Sequence, residues 1–337
     1  MGIQIVRTLP EQDWRRFVNE HPQGNIFHTP EMLQVFGGAK GHQPDLWAAV
    51  RGDGSPVALL PSVQLTLIRG PLQRFATRNV AYGGILCAPS PEGEAALAML
   101  LKAHCREAEK STLFTELRNL SDLSKVQPIL QGCGFLYEDH LNYLIDLDRH
   151  PETVLQSMSR GTRKKIRRGL RRGTVAIEEV QHREQLAILY ELLRRTYASA
   201  QVPLADRTLF EAAFDVLRPK GMIKFLLASI DGDWAAGSIE LIYRDEIYGW
   251  YSGLDRAYAS HVPTELLMWH ILRWGAENGY RLYDFGGAGT PDKEYGVRDF
   301  KAKFGGELVC FGRNTCVHAP RLLWLSQKGY SVWRRWL

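Results

Sequence analysis

The chain has 337 residues, of which 45% are apolar and 23% charged. That composition excludes wholesale disorder, a collagen-like repeat and a disulfide scaffold, and the length suits two domains or one large one. Forty-two Lys and Arg against 37 Asp and Glu give a net charge of +5, but eight of the basic residues and no acidic one lie between Arg160 and Arg172, so the remainder carries −3; an anionic partner is expected at that stretch.

Apolar runs end after a few residues, as in Val57-Ala58-Leu59-Leu60, whereas a membrane span needs about 20. The N-terminus alternates polar and apolar residues and has no basic stretch ahead of an apolar run. Neither a transmembrane helix nor a signal peptide is expected, which places the protein in the cytoplasm. The five cysteines, Cys87, Cys105, Cys133, Cys310 and Cys316, are odd in number and lack Cys-x-x-Cys spacing. They read as reduced and mostly buried, with no metal site.

In chain order, a strand is predicted over Ile3–Arg7 and a helix over Glu11–Asn19. A second helix spans Thr29–Phe36, where Thr29 can cap and Pro30 suits the first turn. Strands follow at Asp45–Arg51, Ser55–Leu67 and Val80–Cys87, then a helix at Glu92–Lys110 and strands at Leu113–Leu117 and Tyr143–Leu147. The second half repeats much of this order: a strand at Val175–Val180, helices at Arg183–Ala198 and Arg207–Leu217, and a meander of Ile223–Ile230, Trp234–Tyr243 and Glu246–Leu254. A helix at Pro263–Asn278 and a strand at Arg281–Phe285 complete it. Placing Glu116 on Asp284 superposes the late helix-turn-strand of each half at an offset of 168 residues, a candidate duplication. Antiparallel runs mixed with helices favour a mixed α/β (α+β) sheet in each half.

Two segments carry chemistry. In Ser159 to Gly173, Thr162 can cap a helix that Gly173 ends, with Ile166 and Leu170 as its apolar edge and cations elsewhere. Arginine forks suit phosphate oxygens, although a solvated charged helix reads equally well. The second segment is Tyr283-Asp284-Phe285-Gly286-Gly287-Ala288-Gly289-Thr290, followed by Val297 to Gly306. Its glycines admit close backbone approach, but the spacing is neither a phosphate loop nor a dinucleotide fingerprint. Read alone, Val297, Phe300 and Phe304 make a short packed helix with Lys301 at its edge. No histidine pair has metal-ligand spacing and Gly-x-Ser-x-Gly is absent. His270 reads as a core histidine, and Trp324, Trp333, Arg334, Arg335 and Trp336 as a tail helix packing on the body.

Taken in succession, these segments and Ile26-Phe27-His28-Thr29-Pro30-Glu31-Met32, Thr115-Glu116-Leu117-Arg118-Asn119, Gly134-Phe135 and Phe300-Lys301-Ala302-Lys303-Phe304-Gly305-Gly306 resemble the FemABX family. Its members are aminoacyl-tRNA-dependent transferases that build peptidoglycan cross-bridges on an acetyltransferase (GNAT) fold. The resemblance implies two tandem GNAT-like domains, residues 1–147 and 148–316, with 317–337 packing back on the first. It implies Lys301 and Phe300 at the transfer site, and Arg163, Arg167, Tyr251, Asp284, Gly286, Gly287 and Arg298 as substrate-binding residues. Lys301 would stabilise the oxyanion or hold a donor phosphate.

The implied enzyme is an N-acyltransferase moving an amino acid from aminoacyl-tRNA to an amine of a peptidoglycan or other cell-envelope precursor. It would need no metal or redox cofactor and would touch the inner face of the membrane peripherally. The family's long helical-hairpin insertion is missing. Thr196-Tyr197-Ala198-Ser199 lacks the Arg that peptidoglycan-acting members place three residues after the Thr, and Tyr258 to Pro263 replaces the pyrophosphate loop of CoA-using acetyltransferases. An acyl-CoA or acyl-carrier-protein dependent N-acetyltransferase acting on an amino sugar, and a non-catalytic module binding RNA or anionic lipid, are the alternatives.

Overall fold

Two mixed sheets carry the fold in the computed structural model, which describes residues 2–68 and 70–333. Chain order begins β1 (Gln4–Val6), α1 (Glu11–Glu20), α2 (Pro30–Gly38), β2 (His42–Val50), β3 (Pro56–Thr66), β4 (Thr77–Gly83), β5 (Leu86–Cys87), α3 (Pro91–Ala108), β6 (Phe114–Asn119), α4 (Gln127–Gly132) and β7 (Leu136–Glu138). It continues β8 (Leu141–Asp146), α5 (Pro151–Ser157), α6 (Arg160–Arg172), β9 (Val175–Glu179), α7 (Leu186–Ser199), α8 (Arg207–Leu217), β10 (Ile223–Ile230), β11 (Asp233–Tyr243) and β12 (Glu246–Leu254). The last elements are α9 (Pro263–Glu277), β13 (Leu282–Gly287), α10 (Gly296–Ala302), β14 (Glu307–Cys310), β15 (Arg313–Val317) and α11 (Pro320–Trp333).

The chain divides into two units, Met1–Asp139 with Phe311–Leu337, and His140–Cys310. In the first, the sheet order is β1-β2-β3-β4-β6-β15-β7, with β5 beside β3. Its core packs Trp47, Ala58 and Leu60 of the sheet against Leu97, Leu100 and Leu101 of α3. Local signals set the helix starts: the Thr29 hydroxyl accepts from the Met32 N–H at 3.2 Å ahead of Pro30, and Ser90 caps α3 through the Gly93 N–H at 3.1 Å.

In the second unit the order is β9-β10-β11-β12-β13-β8-β14. Its core sets Ile145, Ile247 and Tyr283 of the sheet against Leu266, Ile271 and Leu272 of α9. In each sheet one pair is parallel, β4 with β6 and β12 with β13. The registers match: Val80 faces Glu116 and Tyr248 faces Asp284, so both partners are displaced by the same 168 positions. The offset read from one helix-turn-strand therefore extends to the hydrogen-bond register of the neighbouring strand.

The division differs from the expected one at both ends of the second unit. The strand over 143–147, expected to close the first half, is β8, and it pairs with β13 and β14 in the second sheet. Conversely β15, counted in 148–316, lies between β6 and β7 of the first sheet. Each sheet thus contains one strand from beyond its own stretch of sequence. From 320 onward the tail packs on the first unit, where the Ser326 hydroxyl donates to the Phe75 carbonyl at 2.7 Å. Arg334, Arg335 and Trp336 lie outside the described residues, as does the side chain of Trp333. No helix among the described residues is long and apolar enough to cross a membrane.

Candidate active site

In the second unit, β12 and β13 pair from Glu246 with Leu282 as far as Tyr248 with Asp284. At that level the register of β11 on β12 shifts, Ile239 facing Tyr251 and Glu240 facing Gly249, which leaves Trp250 as an extra residue. A bulge bends its strand and re-aims side chains. Beyond it β12 runs on with β11 while β13 follows β8, so the two central strands part and open a cleft in the sheet. Trp250 and Tyr251 stand on one arm, Phe285, Gly286 and Gly287 on the other.

The β13 arm ends in a tightly fixed turn. Gly286 adopts φ +68°, a conformation that favours glycine, and a Cβ there would also press on the Tyr248 hydroxyl at 2.9 Å. The Asp284 carboxylate accepts the Gly286 N–H at 2.6 Å and the Asn142 amide at 3.2 and 3.3 Å. Burial lifts this carboxyl to about 6, against the pull of the Gly286 N–H and the Lys301 charge.

Lys301 of α10, expected at an exposed helix edge, is buried, and its ammonium donates to the carbonyls of Phe285 at 2.5 Å, Gly286 at 3.1 Å and Gly287 at 2.8 Å. Burial brings it down to about 8, opposed by Asp284. An ammonium has three protons, and three carbonyls take them. What Lys301 offers a substrate in this geometry is positive charge and the shape of the turn, rather than a free N–H.

The residues around Lys301 hold the same segment. Phe300 is half-buried with its ring against Phe304 at 5.2 Å. Arg298 donates to the Thr290 carbonyl at 2.8 Å and to the Lys293 carbonyl, closing the loop before α10. Val297, read as part of the apolar face, is 43% exposed.

The basic segment meets this region at its start, where the Ser159 N–H donates to the Lys303 carbonyl at 2.9 Å. Helix α6 ends at Gly173 as expected, in the left-handed conformation, but its cap is Ser159, three residues before Thr162. Thr162, Ile166 and Gly169 form its buried edge, Gly169 because a Cβ there would press on Leu266; Leu170 is 55% exposed.

The two arginines expected to grip phosphate are engaged within the protein. Arg163 donates to the carbonyls of Gln156 at 2.5 Å and Met158 at 2.7 Å, and Arg167 pairs with Glu152 at 2.6 Å. Arg160, Lys164, Arg168, Arg171 and Arg172 are exposed and form no ion pair among the described residues.

Sequence reasoning missed three features. One is the aromatic wall beside Tyr251, whose ring lies 4.9 Å from Phe210, 5.1 Å from Trp250 and 5.6 Å from Tyr197; burial and the neighbouring Tyr295 raise Tyr197 to about 12. The run Tyr248-Gly249-Trp250-Tyr251 was the available signal. The second is Asn142, with no signal at all. The third is Glu240, fully buried and raised by that burial to about 7, which accepts from the Tyr283 hydroxyl at 3.0 Å. Gly249 makes room for this pair, since a Cβ there would fall 2.5 Å from the Tyr283 oxygen.

The duplicate position in the first unit is built differently. Glu116, the counterpart of Asp284, is buried but held low by Arg118 and Arg313, at 3.2 and 2.6 Å. Arg118 and Asn119 stand where Gly286 and Gly287 would, and α4 has no lysine. Among the described residues the lysine-held glycine turn stands in the second unit.

Residues 156–301, ending at Lys301, match the acetyltransferase (GNAT) domain. The fold is similar to the crystal structure of FemX, with a TM-score of 0.74 and 17% identity over 96% of this chain and 99% of that one. It is also similar to a tandem GNAT protein from the clavulanic acid biosynthesis pathway, at 0.59 and 13% over 94% and 99%. Two GNAT-like domains in tandem define the class, a GNAT-fold acyltransferase.

Sequence relatives narrow it. The lipid II:glycine glycyltransferase of Staphylococcus aureus is 21% identical over 384 aligned positions, covering 88% of this chain and 89% of that protein. The Staphylococcus epidermidis enzyme of the same name is 21% identical over 256, covering 56% of this chain and 61% of that protein. The chain is an acyltransferase similar to these glycyltransferases and, in fold, to FemX.

Proposed function

We propose that this protein transfers an amino acid from aminoacyl-tRNA to an amine of a lipid-linked peptidoglycan precursor, in the cleft between β12 and β13. The observation that carries the reading is the lysine-held turn at the end of β13, present in one of two duplicated units, in a chain similar along most of its length to a lipid II:glycine glycyltransferase. In the reaction the acceptor amine attacks the ester carbonyl, a C–N bond forms, the C–O bond to the ribose breaks, and the tRNA leaves with its hydroxyl. The Lys301 charge lies where negative charge builds on the carbonyl oxygen, and Asp284 and Arg298 keep the turn in place. The amine's proton passes to water or to the leaving ribose oxygen.

The turn ahead of α9, where CoA-using acetyltransferases carry their pyrophosphate loop, is a 3-10 helix over Arg256–His261 followed by Val262 at φ +56°, which supports aminoacyl-tRNA over acyl-CoA. The acetyltransferase match favours the opposite donor. Incubating the protein and a lipid-linked muropeptide with labelled aminoacyl-tRNAs, and in parallel with labelled acetyl-CoA, separates the two readings. Label moving to the lipid from tRNA is expected; movement from acetyl-CoA alone overturns the proposal.

A further inference from the structure

In the first unit, away from the cleft, the fold gathers soft-metal ligands that are far apart in sequence. Cys105 of α3 and Cys316 of β15 are buried, 211 positions apart, with their sulfurs 3.9 Å from each other. His318, half-buried, sets its Nδ1 3.9 Å from the Cys316 sulfur. All three ligand atoms lie within 4.8 Å of one another.

Zinc bonds sulfur at about 2.3 Å and imidazole nitrogen at about 2.1 Å, so neighbouring ligands around a tetrahedral ion stand roughly 3.6–3.8 Å apart. The two 3.9 Å separations exceed that by roughly 0.1–0.3 Å. Cysteines in a core are ordinary; two thiols and an imidazole converging at this spacing are not required by packing.

The outer contacts orient the imidazole as a ligand needs. His318 Nε2 lies 2.8 Å from the Thr115 hydroxyl, which lies 3.2 Å from His104 Nε2. With His318 donating from Nε2 to Thr115 and Thr115 donating to His104, the tautomer a bound metal would select, the Nδ1 lone pair faces the sulfurs. Two thiolates and a neutral imidazole would leave a zinc complex uncharged, which suits a site at the edge of an apolar core. The half-buried side of His318 gives an ion its way in and leaves a fourth position for water.

We infer that Cys105, Cys316 and His318 bind one zinc ion, which fastens β15 to α3 within the first unit. Sequence spacing could not show this, because Cys105 and the Cys316-x-His318 pair approach only once β15 is seated between β6 and β7. An ion bound only by the folded protein stabilises it by mass action.

The full chain, reduced and freed of metal with a chelator, is titrated with cobalt(II) as a spectroscopic substitute and then with zinc. One equivalent of cobalt should produce a sulfur-to-cobalt charge-transfer band and the visible bands of a tetrahedral ion, both removed by one equivalent of zinc. Zinc should raise the thermal midpoint by several degrees. His318→Ala, at the solvent side, and Cys316→Ser should each lose the bands and the shift, whereas Cys310→Ser, at an exposed thiol, should keep both. Absence of stoichiometric binding by the wild type, or bands that persist in both His318→Ala and Cys316→Ser, would overturn the site and return the three residues to a packing role.

Discussion

Gly286 is where backbone conformation and site geometry meet most closely. Its left-handed φ disfavours any side chain, a Cβ would displace the Tyr248 hydroxyl, and its N–H and carbonyl are held by Asp284 and Lys301. Gly286→Ala should therefore cost about 1–2 kcal/mol from conformation alone, measured by denaturant unfolding. It should slow transfer as well, because the carbonyls that seat Lys301 move; an alanine variant with wild-type stability and rate would show the turn to be incidental. The glycines and the Phe300-Lys301 pair were legible in the sequence, but the burial of Lys301 was not. Val297, Phe300 and Phe304 describe a helix with Lys301 beside its apolar face, and only the inward carbonyls of β13 explain why a cation lies there.

Among the elements, α6 is the one whose character the sequence conveyed best and whose orientation it conveyed poorly. Its charge and its end at Gly173 followed from composition and glycine geometry; Leu170 was misplaced because α9 approaches closely enough that Gly169 becomes the contact. Seen this way, Arg160, Lys164, Arg168 and Arg171 form a stripe opposite the buried Thr162, Ile166 and Gly169, while Arg163 and Arg167 are engaged by Gln156, Met158 and Glu152. Reversing Arg160, Lys164 and Arg168 to Glu should lower the slope of log affinity for tRNA against log salt by roughly 2–3. Arg167→Gln should leave it nearly unchanged. Equal slopes for wild type and triple variant, across a salt series, would reduce the stripe to a solvated face.

At the scale of the whole chain, the 168-residue echo was readable because helix α3 and strand β6 match α9 and β13 in order, and the two strands match in length. The unit boundaries were not, since β7, β14 and β15 are short, the first two are largely exposed, and β15 turns Asn314 and Cys316 inward rather than a set of large apolar residues. The two units should also respond to pH in opposite senses. In the first, burial lowers His28 and His104 to about 3. The unfolded chain binds protons there that the folded one refuses, so stability falls as pH drops below about 6.5. In the second, Glu240 at about 7 and Asp284 at about 6 stay protonated when the unfolded chain has ionised. Stability there falls as pH rises from about 4.5 to 7, by up to about 3 kcal/mol for Glu240. Hydrogen exchange corrected for intrinsic rates should show β10–β12 better protected at pH 5 than at pH 7.5 and β2–β4 the reverse. Glu240→Gln should flatten the first trend; a common trend in both units would refute the assignment.

The transfer site itself is tested most directly by single-turnover transfer from charged tRNA to the lipid-linked acceptor, comparing the wild type with Lys301→Met and melting both on the same preparation. The wild type should transfer. The variant should lose about 100- to 1,000-fold in rate, as for removal of an electrostatic group at a developing charge, and, with three carbonyls left unpaired, on the order of 2 kcal/mol in stability. Transfer by a folded Lys301→Met protein at the wild-type rate, or none from charged tRNA by the wild type, would contradict the account.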